Sequence, residues 1–248
     1  MAGADQRARI VAALVRHGDY EQPERVPSAH LPHPLTARGR EQAAKLGHQL
    51  WAAASELGLR VNPTLHTSTL LRASETAGLA AGVLSTLAAG ADFDVAEFPD
   101  LAERSTGSGN NLTVDQIEAI IRRDPRRPVL PSGWKAHPRY RLPLLGAESL
   151  MQAGARVAAH VEVRCHELRA AGEDTLAVFV SHGGALRHAA VCMGALELAA
   201  VPGLSMHHCG FVLLELQRSA EQIEDGLPGA WTKVGGAWKV RPPKRARD

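Results

Sequence analysis

The chain has few cysteines and no pattern among them. Cys165, Cys192 and Cys209 are odd in number and lack metal-type spacing, which argues against a disulfide framework and for a reducing compartment. Neither charge is in excess: 28 Lys and Arg face 26 Asp and Glu, a net charge of +2. That balance gives no reason to expect a nucleic-acid partner. No apolar run is long enough to cross a membrane, and residues 1–9 lack the apolar core of a signal peptide. The histidines and carboxylates show no metal-site spacing, and no internal repeat is present. These absences describe a soluble cytoplasmic protein with no membrane or nucleic-acid partner and no bound metal.

What remains is ordinary globular material. With 248 residues, 45% of them hydrophobic, the chain can bury a substantial core as one large α/β domain or two small ones. Two apolar runs stand out, residues 10–15 and 176–180. Each ends in histidine and glycine: Arg16-His17-Gly18 and Ser181-His182-Gly183-Gly184. Short apolar runs bounded by glycine, with helical patterns nearby, predict buried strands of a parallel sheet. Ligands of such sheets sit at the carboxyl ends of the strands, so both histidines are expected there.

Between these runs the pattern predicts a helix capped by Thr36, with Ala43, Leu46, Leu50, Ala53 and Leu57 on its buried face and Gly58 at its end. A strand over 64–68, a helix from Leu70 and a half-exposed strand over 93–98 follow. Residues 99–146 break the alternation, with one helix over 113–123, as a lid or a disordered insert would. Ser149 caps the next helix, a further helix is expected from Gly183 to about Leu198, and strands over 211–216 and 230–240 close the chain. The expected organisation is one domain over residues 1–240, a lid-like insertion at about 99–147 and a disordered basic tail over 241–248.

Four short elements carry chemistry. His17 as neutral imidazole can attack phosphorus, and Arg16 beside it has the planar fork that fits phosphate oxygens. Gly18 would let the backbone approach a ligand closely. His182-Gly183-Gly184 opens a helix, where free N–H groups favour anions. Arg72 starts a helix just after a strand, and Glu103-Arg104 follows another. Each has a plain reading as well: a chance tripeptide, a helix-opening turn, a solvated arginine, an exposed ion pair. Those readings do not explain why all four fall directly after predicted strands.

Taken together, Leu14-Val15-Arg16-His17-Gly18, Leu35-Thr36-Ala37-Arg38-Gly39, the run from Ser68 to Thr76, Leu101-Ala102-Glu103-Arg104, Gly146-Ala147-Glu148-Ser149 and Ser181-His182-Gly183-Gly184 resemble the histidine phosphatase superfamily, the phosphoglycerate-mutase-like family. The resemblance spans about residues 10–195. It implies a three-layer α/β/α sandwich with a mostly parallel central sheet, His17 as the phosphorylated nucleophile, and Arg16, Arg72 and His182 around the phosphate. It makes Glu103 the proton donor, lets Gly18, Arg104 and Gly183 contact substrate, and calls for no metal or organic cofactor. The substrate would be a small-molecule phosphate ester.

The loop after His17 departs from the mutase pattern: Asp19-Tyr20-Glu21-Gln22-Pro23 lacks the serine and asparagine found there. The expected activity is therefore phosphomonoester hydrolysis. A phosphomutase, a phosphoprotein phosphatase and an inactive phospholigand-binding protein stay open as alternatives. The arginines of the insertion, Arg122, Arg123, Arg126, Arg127, Arg139 and Arg141, either attract a multiply charged substrate or form a solvated basic surface. Trp134 and Tyr140 either line a pocket or pin the insertion to the body.

Overall fold

Buried strands that touch helices on both faces need no polar side chains, and the two central strands have almost none. In the computed structural model, which describes residues 8–217 and 231–242, they are β1 (Ile10–Arg16) and the fifth strand, Thr175–Ser181. In chain order the remaining elements are α1 (Ala37–Leu57), β2 (Arg60–Val61), β3 (Thr64–Ser68), α2 (Leu71–Leu87), β4 (Asp94–Phe98), α3 (Val114–Arg123), α4 (Leu150–Ala171), then β5 itself, α5 (Gly183–Cys192), β6 (Leu204–Ser205), β7 (Phe211–Leu216), β8 (Trp231–Gly236) and β9 (Lys239–Val240).

The main sheet runs β4-β3-β5-β1-β7-β8, with β2 paired to β5. β4, β3, β5 and β1 are mutually parallel, while β7 and β8 are antiparallel. Side chains alternate across it. Ile10, Ala12 and Leu14 face a core that includes Val157 and Val161 of α4 and Leu186 and Ala189 of α5. Val11, Ala13 and Val15 face Leu46 and Leu50 of α1 and Ala77 and Leu84 of α2. The result is the expected α/β/α arrangement.

The helix signals act as read at both ends of α1. Thr36 Oγ1 accepts from the Gly39 N–H, and Gly58 closes the helix at φ 67°. The buried face rotates slightly at the C-terminal end, where Ala54 is buried and Ala53 and Leu57 are half-buried. Ser149 and Gln152 form a reciprocal capping box at the start of α4.

Two expectations change. The helix from Gly183 stops at Cys192 rather than near Leu198, because Gly194 turns left-handed at φ 72° and a short 3-10 segment, Leu198–Gly203, follows. The final strand is two strands: Gly236, at φ 64°, breaks it, β8 stays in the main sheet, and β9 pairs with β6 in a separate two-stranded sheet. Ala230 and residues 243–248 of the expected tail lie outside the described residues. Arg241, the first tail residue, is anchored: its N–H donates to the Gly203 carbonyl at 2.8 Å.

The insertion is built around its own small core of Ile117, Ile121, Trp134, Leu142 and Ala147. Trp134 is buried there and donates from Nε1 to Glu118 at 3.0 Å.

Candidate active site

Sheet register assembles the site. Arg16 lies opposite Ser181, so His17 and His182 emerge side by side from parallel strands, and the His17 N–H donates to the Ser181 carbonyl at 3.0 Å. Thr67 lies opposite Val180, which brings the Ser68–Arg72 turn to the same edge. Ser181 Oγ donates to the Leu101 carbonyl at 2.7 Å and so ties down the turn leading to Glu103. The carboxyl ends of four neighbouring parallel strands thus converge on one crevice. Its cavity of about 200 Å³ is lined by Arg16, His17, Tyr20, Arg72, Glu103 and Gly183, among others.

His17 is held in one tautomer. Its Nδ1 lies 2.8 Å from the Gly18 carbonyl, which can only accept, so Nδ1 carries the proton and Nε2 keeps its lone pair. The ring is 4% exposed. Burial, then the charges of Arg72 and Arg16, hold its pKa well below 6.5, so it is neutral at physiological pH.

Two arginines flank it, Arg72 buried and Arg16 half-buried. Arg16 donates from Nη1 to the Met206 carbonyl at 2.7 Å, and Arg72 from Nη1 to the Ala29 carbonyl at 3.0 Å. In both, Nε is buried and makes no hydrogen bond among the described residues. Burial lowers both from 12.5, and the charge of Glu103 opposes the shift in each. Buried cations with spare donors are poorly satisfied until an anion arrives, and a phosphoryl group would satisfy them.

Glu103 sits on the start of α5. Its Oε1 accepts from the Ala185 N–H at 3.2 Å and the Arg104 N–H at 2.9 Å, and its Oε2 accepts from the Gly184 N–H at 3.3 Å. A Cβ on Gly184 would lie 2.8 Å from Oε1, so glycine is what lets the carboxylate approach. The Gly146–Ser149 motif acts behind this residue. Glu148 pairs with Arg156 at 2.7 Å and accepts from the Ser105 N–H at 3.0 Å, while Arg156 Nη1 binds the carbonyls of Asp100 and Ala102. The segment carrying Glu103 is clamped from both sides.

Three residues expected at the phosphate or substrate are not in the cavity lining. Gly18 does not line the cavity: a Cβ there would meet the Gly39 carbonyl at 2.8 Å, and its N–H donates to Thr76 Oγ1 at 2.9 Å. Its small size serves packing against α1. Arg104 is buried and donates to the Lys135 carbonyl at 3.2 Å, away from the cavity lining. His182 is fully buried behind the wall. Arg72 donates to its Nδ1 at 3.3 Å, so its proton lies on Nε2, 2.9 Å from Ser68 Oγ. In this arrangement it orients Arg72.

Nor does the insertion cover the cavity as a lid would. Of residues 99–147 only Glu103 lines it, and none of the six insertion arginines reaches it. The insertion instead braces the loop after His17: Ser28 Oγ donates to the Arg104 carbonyl at 2.6 Å, and Asn111 Oδ1 accepts from the His30 and Leu31 N–H groups. That loop supplies the wall with Tyr20, Gln22, Val26 and Pro27.

Known proteins share this fold. Residues 12–225 match the model of the histidine phosphatase superfamily, branch 1. The chain belongs to the histidine phosphatase superfamily. The assignment makes it a phosphatase by family. Solved structures with the same histidine phosphatase fold include mycobacterial hydrolase 2 (TM-score 0.68, 20% identity, covering 96% of this chain and 94% of that one) and a mycobacterial glucosyl-3-phosphoglycerate phosphatase (0.63, 22%, 94% and 98%). The alpha-ribazole phosphatase of Shigella flexneri is a third (0.61, 21%, 84% and 91%). No curated protein matches the chain.

Four residues at or beside this histidine phosphatase site carried no motif. Tyr20 meets the His17 ring edge-on at 5.1 Å and lies under the Arg72 guanidinium at 4.5 Å. His208 lies 5.7 Å from the His17 ring, with Nδ1 3.3 Å from Asp19. Arg187 and Arg241 line the cavity from α5 and from the residue after β9. Arg187, five residues after His182 on a short helix, was open to detection; Tyr20 and Arg241 depend on tertiary placement. A larger, apolar cavity of about 400 Å³ among Trp51, Ala54, Leu59 and Phe93 shares no residue with the site. Among the described residues, no cluster of three or more His, Cys, Asp or Glu could hold a metal, and no helix is long and apolar enough to cross a membrane.

Proposed function

We propose that this histidine phosphatase hydrolyses small phosphomonoesters through a phosphohistidine at His17. The observation that carries the reading is the fixed tautomer: Nδ1–H is given to the Gly18 carbonyl, and Nε2 keeps its lone pair beside two arginines whose buried Nε donors are unused. Nε2 attacks phosphorus in line with the ester oxygen. The N–P bond forms, the P–O bond breaks, and the departing oxygen takes a proton from Glu103. Oε2 is the oxygen suited to carry that proton, since its one backbone contact is a long one. Water then attacks phosphorus, the N–P bond breaks, and Glu103 takes the proton from the water. Arg16 and Arg72 stabilise the charge on the transferring oxygens.

The neighbours named as glucosyl-3-phosphoglycerate phosphatase and alpha-ribazole phosphatase support hydrolysis of a small ester over transfer to a second acceptor. The test is to quench the enzyme in alkali during turnover of nitrophenyl phosphate. Protein-bound phosphate that survives alkali, is released by acid and maps to His17, with no added phosphorylated cofactor, is the expected result. Turnover without such an adduct rejects the phosphohistidine route, and turnover that needs a bisphosphorylated cofactor points to a mutase.

A further inference from the structure

We propose that Arg187 and Arg241 form a second anion subsite, so that the preferred substrate is a phosphomonoester carrying a second acidic group, a carboxylate or a second phosphate. This rests on the phosphatase reading above. The loop between α5 and β7 builds the subsite. Arg187 donates from Nε to the Gly183 carbonyl at 2.8 Å and from Nη1 to the carbonyls of Leu204 at 2.9 Å and Val201 at 3.2 Å. That leaves Nη2 without a hydrogen bond among the described residues. The same loop pairs through Leu204 and Ser205 with Val240 and Lys239, and Gly203 binds the Arg241 N–H. The two-stranded sheet β6–β9 therefore carries the C-terminal segment up to the cavity. Ser205 and Arg241 end as part of its lining, together with Arg187.

Charge balance makes the pair informative. The cavity is lined by four arginines, Arg16, Arg72, Arg187 and Arg241, against one carboxylate, Glu103. A single phosphate dianion at His17 leaves positive charge over. No carboxylate among the described residues forms a salt bridge with Arg187 or Arg241. Burial, and then the neighbouring charge of Arg241, push the Arg187 pKa down to about 10. Two cations lining one cavity are relieved by an anion between them. Arg187 and Arg241 line the same cavity of about 200 Å³ as Arg16, His17 and Arg72, which places the second acid a short distance from the phosphate.

The test compares 2-phosphoglycolate, ethanediol bisphosphate and ethyl phosphate as substrates for the wild type, Arg241→Ala and Arg241→Glu. The first two carry a second acid of different kind, and the third has none. The wild type is expected to prefer one or both diacids over ethyl phosphate by kcat/KM, and which one names the acid. In Arg241→Ala that preference falls about 10- to 100-fold, as the loss of one charge-assisted contact predicts, with the change in KM. Arg241→Glu lowers it further, and Arg241→Lys restores part of it. No diacid preference in the wild type, or an equal proportional loss on all three substrates in the variants, overturns the subsite while the phosphatase reading stands. Failure to hydrolyse any of the three, or nitrophenyl phosphate, fails the phosphatase reading itself.

Discussion

The inner and outer walls of the cavity are built in different ways. Arg16, His17, Arg72 and Glu103 follow directly from the carboxyl ends of parallel strands, and each is fixed by a backbone partner. Tyr20, Arg187, Ser205 and Arg241 come from a loop, a helix flank and a two-residue strand, held together by local pairing. The inner wall inherits its geometry from sheet register and cannot shift without shifting the core. The outer wall can change with one short segment. On the proposed function, chemistry belongs to the first and choice of substrate to the second, and the expected effects of substitution fall from the inner to the outer.

The largest effect is expected at His17. His17→Ala should lower hydrolysis of nitrophenyl phosphate by ~10⁴-fold or more, since no second histidine lines the cavity. The fold should persist, because β1 and its neighbours are held by the strands themselves. Residual turnover above a thousandth of wild type, with an intact circular dichroism spectrum, would move the nucleophile elsewhere.

Glu103→Gln should follow. General acid catalysis is typically worth ~10²–10⁴-fold, and an alkyl phosphate needs it more than a nitrophenyl ester, whose leaving group is already a stable anion. Burst-phase phosphorylation by ethyl phosphate is thus expected to slow by that range, and phosphorylation by nitrophenyl phosphate by far less. Equal slowing of both would give Glu103 a positioning role at the start of α5 and no part in proton transfer.

Much of the inner wall was legible because the sheet's own signals placed it. Near-continuous apolar runs marked β1 and β5, and the residue after each run could only lie at the strand end. Arg72 and Glu103 were read by the same logic. The packing role of Gly18 was not legible because its constraint is a sequence-distant one: Gly39 of α1 lies against it, and a Cβ on Gly39 would overlap the Asp19 carbonyl. Of the outer wall, only Arg187 was legible. β2, β6 and β9 are two residues long, too short for any periodicity, and exist because a partner strand is already in place. Arg241 was read as part of a loose basic tail for the same reason.

Acid should weaken the fold before it protonates His17. Burial is the first cause of a lowered pKa for His17, His30, His66, His160, His182, His188 and His208, with His66 and His208 pushed to about 4. Each titrates near 6.5 once unfolded, so below that pH the unfolded chain binds more protons than the folded one. Stability is full above about pH 6.5 and falls as pH drops from there toward the folded values. The melting temperature is expected to decline from pH 6.5 to 5, with net proton uptake on unfolding by calorimetry. A flat melting temperature over that interval would mean the histidines are not buried as neutral groups.

The smallest effect, and the one that probes the boundary between the walls, is at Tyr20. Its ring touches His17 and lies under Arg72, yet it comes from the loop and not from a strand end. The ring face, not the hydroxyl, makes the contact with the guanidinium. Tyr20→Phe should then stay close to wild type, whereas Tyr20→Ala should lower kcat/KM by ~2- to 30-fold, the range of a cation–π contact of ~0.5–2 kcal/mol. The loss should be similar for ethyl and nitrophenyl phosphate, because Arg72 serves the phosphoryl group they share. A large loss in Tyr20→Phe would show that the hydroxyl acts on the substrate. A loss in Tyr20→Ala confined to one leaving group would place the ring with Arg241 on the side that selects substrate.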